Sequence, residues 1–235
     1  MSISILHRHL IFVALTAATL AHAQVASTTD VRMRIQLPAQ PGRSPAPHAV
    51  LWLKPLDETQ VPPFLPEHHY TLLQKNRMFT PHLLVIPVGS IVDFPNADPF
   101  FHNVFSLFDG KRFDLGLYEA GTTKAVTFSR EGISFIFCNI HPEMSAVVIT
   151  LSTSLYNVAD SSGVFHLSNV PPGDYELHVW IEGVAQTSLS QMTRRIHLTQ
   201  GSGDLGALTI PAIKQDSKHT NMYGQPYDRE TKPTY

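Results

Sequence analysis

The only cysteine of this 235-residue chain, Cys138, ends an apolar stretch at 133–138 and is followed after seven residues by another at 146–151. Short apolar stretches rich in β-branched and aromatic residues, bounded by turn-formers, read as buried strands. The residues between them then form one tight loop, Cys138-Asn139-Ile140-His141-Pro142-Glu143-Met144. A thiol, an imidazole and a thioether are thereby confined to one end of a sheet. Whatever the rest of the chain does, it must build a core around that loop.

The remaining chain has the same texture. Stretches at 30–37, 49–53, 70–73, 83–87, 91–94 and 122–128 read as strands, with Val88-Gly89-Ser90 as a turn and Pro-rich connections at 38–48 and 54–66. In 122–128, Lys124, Val126 and Phe128 share one face, a period of two. Further strands are expected at 164–167, 175–180, 196–198 and 207–210, the second introduced by Pro171-Pro172-Gly173-Asp174 as a type II turn. No stretch beyond the first 25 residues shows a sustained helical period. The chain is expected to be all-β, built as sandwiches.

Upstream of the cysteine by 36 positions lies His102, in Asn96-Ala97-Asp98-Pro99-Phe100-Phe101-His102-Asn103-Val104. Two imidazoles, one thiolate and one thioether form the donor set of a mononuclear blue-copper site. The soft thiolate binds copper covalently, and imidazole suits both oxidation states. A weak axial thioether disfavours the square geometry that Cu(II) prefers, so electron transfer needs little rearrangement. Zinc competes for such loops but rarely recruits a thioether. A thiol nucleophile paired with His141 would need an oxyanion donor or a third orienting group, and none stands out. The expected ligands are therefore His102, Cys138, His141 and Met144, holding one type 1 copper ion.

The segment from about 69 to 152 resembles the cupredoxins, in particular amicyanin- and plastocyanin-like proteins and exported methylamine-utilisation proteins. The resemblance is carried by Val88-Gly89-Ser90-Ile91-Val92-Asp93-Phe94, Asn96-x-Asp98, His102-Asn103-Val104 and the C-x-x-H-x-x-M loop, whose short spacing is amicyanin-like. It implies a Greek-key cupredoxin β-sandwich, a single type 1 copper and outer-sphere electron transfer. Within that frame Asn103 is expected to tie its loop to the Cys138 loop through a side-chain hydrogen bond. Phe100, Phe101, Pro142 and Phe105 are expected to ring His141 with apolar surface for a redox partner. Residues 155–180, with an Asp-x-x-Gly turn and Val170-Pro171-Pro172-Gly173-Asp174-Tyr175, resemble the transthyretin-like carboxypeptidase regulatory module. Two arrangements follow. Either residues 28–60 and 153–212 form one smaller transthyretin-like β-sandwich, split by the copper domain at 69–152, or the two modules stand in tandem.

The N-terminus reads as an export signal. A weakly basic start (His7, Arg8, His9) precedes an apolar run at 10–20 and the small-x-small sequence Ala21-His22-Ala23. That run is shorter than the roughly 20 residues needed to span a bilayer. Residues 1–23 are thus expected to be removed, leaving a periplasmic protein with no membrane span. A lone thiol is unusual in such a compartment, where cysteines tend to pair, and this favours a functional sulfur. The formal net charge of -2 leaves no strong field for nucleic acid. Residues 214–235 read as a flexible tail, in which His219 and Met222 could scavenge copper. His82 could touch the ligand shell or join His68 and His69 at a second metal.

The expected role is a one-electron carrier serving a protein partner that docks near His141, and not an enzyme. Multicopper catalysis would need a second His-rich cluster, and the His-x-His pair of His7 and His9 lies in the signal. The alternatives are a periplasmic copper carrier or buffer without redox cycling, and an interaction protein in which copper is secondary. The sequence leaves the oligomeric state open.

Overall fold

A computed structural model of the chain describes residues 28–36, 46–107, 110–210 and 223. The export-signal stretch, most of the 38–48 loop, and the tail with His219 and Met222 lie outside the described residues. The described chain is all-β apart from one short α-helix and a single 3-10 turn.

Strand β1 (Thr29–Gln36) alternates buried and exposed at every position, so Val31, Met33 and Ile35 point inward. Strand β2 (Ala49–Pro55) follows. The chain then enters a first sandwich built from β3 (Tyr70–Thr71), β4 (Leu73–Lys75), β5 (Met78–Thr80), β6 (Leu83–Pro87), β7 (Ser90–Pro95), β8 (His102–Ser106), β9 (Phe113–Tyr118), β10 (Thr123–Phe128), β11 (Gly132–Cys138) and β12 (Ser145–Leu151). One sheet has the order β6-β12-β11-β8-β9, the other β10-β7-β3, and β4 and β5 form a separate hairpin. The β6–β12 and β3–β7 pairs are parallel, which requires the chain to cross between sheets. Phe94, Phe128, Ile136 and Val148 fill the space between the sheets, together with Cys138 and Met144.

The chain then returns through β13 (Tyr156–Val158), β14 (Val164–Val170), β15 (Gly173–Ile181), α1 (Gln186–Met192), β16 (Arg194–Leu198) and β17 (Asp204–Thr209). These strands complete two sheets with the strands that came first: β14-β1-β17 and β13-β2-β15-β16. Leu53 sits opposite Leu177 and Leu51 opposite Val179 in the β2–β15 ladder. Both pairs point into a core shared with Val31, Phe165 and Tyr175. Burying each such side chain contributes roughly 1.5–3 kcal/mol. Gly203 is required where β17 joins β1, because a Cβ there would lie 1.7 Å from the Asp30 carbonyl oxygen.

The two sandwiches share apolar surface. Val147, Ile149 and Leu151 of β12 belong to the same core as β2 and β15. Between them lies a cavity of about 700 Å³ lined by Trp52, Phe135, His178 and Leu189, among others. That cavity corrects one expectation. The nearly continuous apolar run at 133–138 reads as buried on both faces, but Ile133 and Phe135 line the cavity and Phe137 is also only partly covered, so β11 is fully buried on one face alone. Gly173 corrects another: it sits at φ 155, far from the roughly +80° that the third residue of a type II turn requires, and is already paired with Leu198.

Candidate metal centre

His102 opens β8, whose five residues are all buried, and β8 lies beside the end of β11 with Cys138 opposite Val104. The first imidazole is thereby placed at the same end of the sheet as the Cys138 loop. The loop closes on itself. The Met144 N–H donates to the His141 carbonyl at 3.0 Å, and the Cys138 N–H donates to the Met144 carbonyl at 3.2 Å. This makes a turn over 141–144 with Pro142 in its second position, where the proline ring presets the required φ. The chain reverses at once, and Met144 returns to the core beside Cys138, both with no exposed surface.

Three of the four expected ligand atoms meet. Cys138 Sγ lies 3.6 Å from His102 Nδ1 and 3.5 Å from His141 Nδ1, and the two Nδ1 atoms are 3.1 Å apart. The centre of a triangle with these sides is about 2.0 Å from every vertex, the length of a bond from imidazole nitrogen to a first-row metal ion. His102 is fully buried and His141 only 3% exposed. Met144 lies on the same closed loop and in the same buried core as Cys138.

The protonation states suit a ligand set. Burial, and then the facing His102, push the His141 imidazole down to about 4, so it is neutral near pH 7. Burial also lowers His102, outweighing the neighbouring Asp98 carboxylate. Burial raises the Cys138 thiol, although the backbone N–H groups of Asn103, Ile140 and His141 are directed at its sulfur. Those N–H groups are arranged to stabilise a thiolate once a cation compensates its burial.

Asp98 was not assigned a role from the sequence, although the pattern Asn96-x-Asp98 was visible. Its carboxylate, 5% exposed, accepts from His102 Nε2 at 2.9 Å. This bond keeps the proton on Nε2 and turns the Nδ1 lone pair toward Cys138, the carboxylate–histidine relay of many metal sites. The same carboxylate accepts from the N–H groups of Asn76 (2.6 Å) and Arg77 (3.0 Å). Both residues have left-handed backbones, at φ 56 and 57, in the β4–β5 turn. Burial raises the Asp98 carboxyl, but these N–H groups and His102 leave it below its ordinary value. The turn also sets the Arg77 guanidinium 5.3 Å from the centre of the Phe100 ring. Phe100 in turn lies against both imidazoles, at 5.3 and 5.4 Å.

Three expectations are corrected. The Asn103 side chain does not reach the Cys138 loop: its Nδ2 donates to Asp114 at 2.7 Å, and the link is the Asn103 carbonyl, which accepts from the Asn139 N–H at 3.1 Å. Phe105 is 1% exposed and packs on Phe137, so it forms core and no docking rim. Phe101 does stand out, at 53% exposure. His68 and His69 do not join His82. His69 pairs with Asp93 at 3.1 Å and His68 lies against Tyr70, whereas His82 groups with His48 and Glu182.

No protein-family model and no curated protein matches the chain. Solved structures do. Parts of the chain are similar to three copper-protein or cupredoxin structures. A Cu-containing nitrite reductase from Thermus scotoductus is 24% identical over 41% of this chain, with a TM-score of 0.34. This chain spans only 27% of that reductase. A purple cupredoxin from Nitrosopumilus maritimus is 24% identical over 35% of this chain and 99% of its own, with a TM-score of 0.32. Amicyanin from Paracoccus versutus is 22% identical over 38% of this chain and 92% of its own, with a TM-score of 0.33. The reading of the site rests on the side chains themselves.

Proposed function

We propose that this chain is an exported type 1 copper protein in which His102, Cys138, His141 and Met144 hold one copper ion, and that it carries single electrons between protein partners. The observation that carries the proposal is the buried triangle of two Nδ1 atoms and one Sγ, whose sides of 3.1–3.6 Å are short enough for one ion to reach all three donors. Copper would supply the one-electron couple. The chain's own residues do the rest. Asp98 fixes the His102 tautomer, the N–H groups around Cys138 favour its thiolate, and the 141–144 turn returns Met144 to the core, where its thioether would be the fourth donor. A frame drawn from two strands and one closed loop keeps the donors in place whether or not the ion gains an electron.

Phe101 and Pro142, both exposed beside ligand residues, supply the apolar face on which a redox partner would dock. Export is supported by the stretch at 1–23 and by the lone functional thiol. Among the described residues no helix is long and apolar enough to cross a membrane. The split arrangement of a transthyretin-like sandwich around a cupredoxin domain is supported by the ladder between β2 and β15 and by β1 lying between β14 and β17.

The redox role is tested by cycling the copper-loaded protein electrochemically in the presence of a Cu(I) chelator. A carrier of electrons keeps its copper through repeated reduction and reoxidation. Loss of Cu(I) to the chelator at the first reduction would instead favour a copper-buffering protein.

A further inference from the structure

A second cluster of metal-affine side chains lies where the two sandwiches meet. His48 precedes β2, Glu182 follows β15 and His82 precedes β6, and one ligand atom from each lies within 4.8 Å of the others. Their backbones are pinned. The Glu182 N–H donates to the His48 carbonyl at 2.8 Å, and the Val147 N–H donates to the His82 carbonyl at 2.8 Å. The His48 and His82 rings are 5.0 Å apart. His82 Nδ1 lies 3.0 Å from the Ser145 carbonyl oxygen and therefore carries the proton, while Nε2 faces Glu182 Oε1 at 2.7 Å. A carbonyl bound to one ring nitrogen, with the other aimed at a carboxylate, is how proteins orient a histidine toward a cation.

We propose that His48, His82 and Glu182 form a second site, for a divalent ion of borderline softness, Cu2+ ahead of Zn2+. Two imidazoles and a carboxylate with open positions suit either ion, and the order of stabilities for nitrogen and oxygen donors puts Cu2+ first. The His82 and Glu182 side chains are 33% and 39% exposed, so water completes the coordination and entry is direct. The ion takes the place of the proton that His82 and Glu182 share in its absence. His48 and Glu182 stand on the second sandwich and His82 on the first, so a bound ion clamps the two together. Ser145 directly follows Met144, which links the new site to the loop of the buried one.

The test is a Cu2+ titration of the full chain carrying Cys138→Ala, which removes the thiol that would reduce Cu2+ and separates this site from the proposed blue centre. The expected result is one equivalent bound without blue colour, with a spin-resonance spectrum of tetragonal nitrogen and oxygen coordination. Adding His48→Ala or Glu182→Gln should weaken that binding at least about tenfold, as loss of a direct ligand should exceed loss of an outer-shell partner. His48 is exposed, so its replacement does not endanger the fold. Copper retained undiminished in both variants would place it on His102 and His141 and overturn the proposal, as would the absence of binding. Neither result touches the blue centre, which is read only in the chain that keeps Cys138.

Discussion

Asp98 shows how much of the centre depends on one side chain that binds no metal. Its carboxylate satisfies two N–H groups of a left-handed turn and orients His102, so the β4–β5 hairpin and the ligand set share a buried charge. Asp98→Ala is expected to lower copper affinity about 10- to 100-fold without removing any ligand, measured by competition with a chelator. Met144→Leu should keep copper but raise the reduction potential, because a weak donor to Cu(II) is lost while the trigonal ligands stay; voltammetry reads this directly. Loss of copper from that variant would refute the axial assignment. The candidate ligand residues are singled out by residue type and spacing, C-x-x-H-x-x-M with a distant histidine. Asp98 and the Asn103 carbonyl were not. Their roles depend on which atom faces the site, and a one-dimensional pattern does not encode that.

Strands with a buried face were legible wherever period two or a continuous apolar run exceeded four residues. Thus 83–87 coincides with β6, and β1, β2, β7, β10, β11 and β12 differ from the expected stretches by one or two residues at the ends. Short elements were missed for a physical reason. β4 and β5 have three residues each, and β9 contains Asp114 and Gly116, which interrupt any period. Helix α1 spans seven residues and buries only Leu189, too little for a helical stripe to stand out. At this scale Leu177 is the most direct test of the second sandwich. It is fully buried opposite Leu53 at the centre of the β2–β15 ladder. Leu177→Ala should cost about 2–5 kcal/mol in denaturant unfolding. A cost below about 1 kcal/mol would mean that this ladder does not carry the core.

At the scale of the molecule, the chain begins one sandwich, builds another and then finishes the first. The strand signals could not decide this, because β2 looks the same whether its partner is near or 120 residues away. The pairing of β2 with β15 is the observation that favours the proposed split arrangement over a tandem one. Besides apolar packing, a polar tie joins the sandwiches. Lys54 reaches Glu131 at 2.9 Å, and Glu131 also accepts from the Ser152 N–H at 3.0 Å and from its hydroxyl. Burial raises the Glu131 carboxyl, but Ser152 and Lys54 outweigh it and leave it below its ordinary value of 4.5. The unfolded chain therefore binds this proton more readily. The tie contributes fully above about pH 4.5 and is lost as pH falls through the lower folded value. Glu131→Gln should lower the melting temperature at pH 7, by no more than about 1 kcal/mol of stability for so exposed a pair, and the difference from the native chain should shrink below pH 4. A difference that grew on acidification would contradict the sign.

The central claim is that two imidazoles and one thiolate grip copper in a buried trigonal frame, and the absorption and spin-resonance spectra of the copper-loaded chain test it most directly. An intense visible thiolate-to-Cu(II) band with a small copper hyperfine splitting is expected, from one blue copper per chain in addition to any colourless copper at His48, His82 and Glu182, and abolished by Cys138→Ser. A colourless Cu(II) signal with a large splitting and no blue band at all in the chain that keeps Cys138, unchanged by Cys138→Ser, would show that copper sits elsewhere and that the buried triangle is not its ligand set.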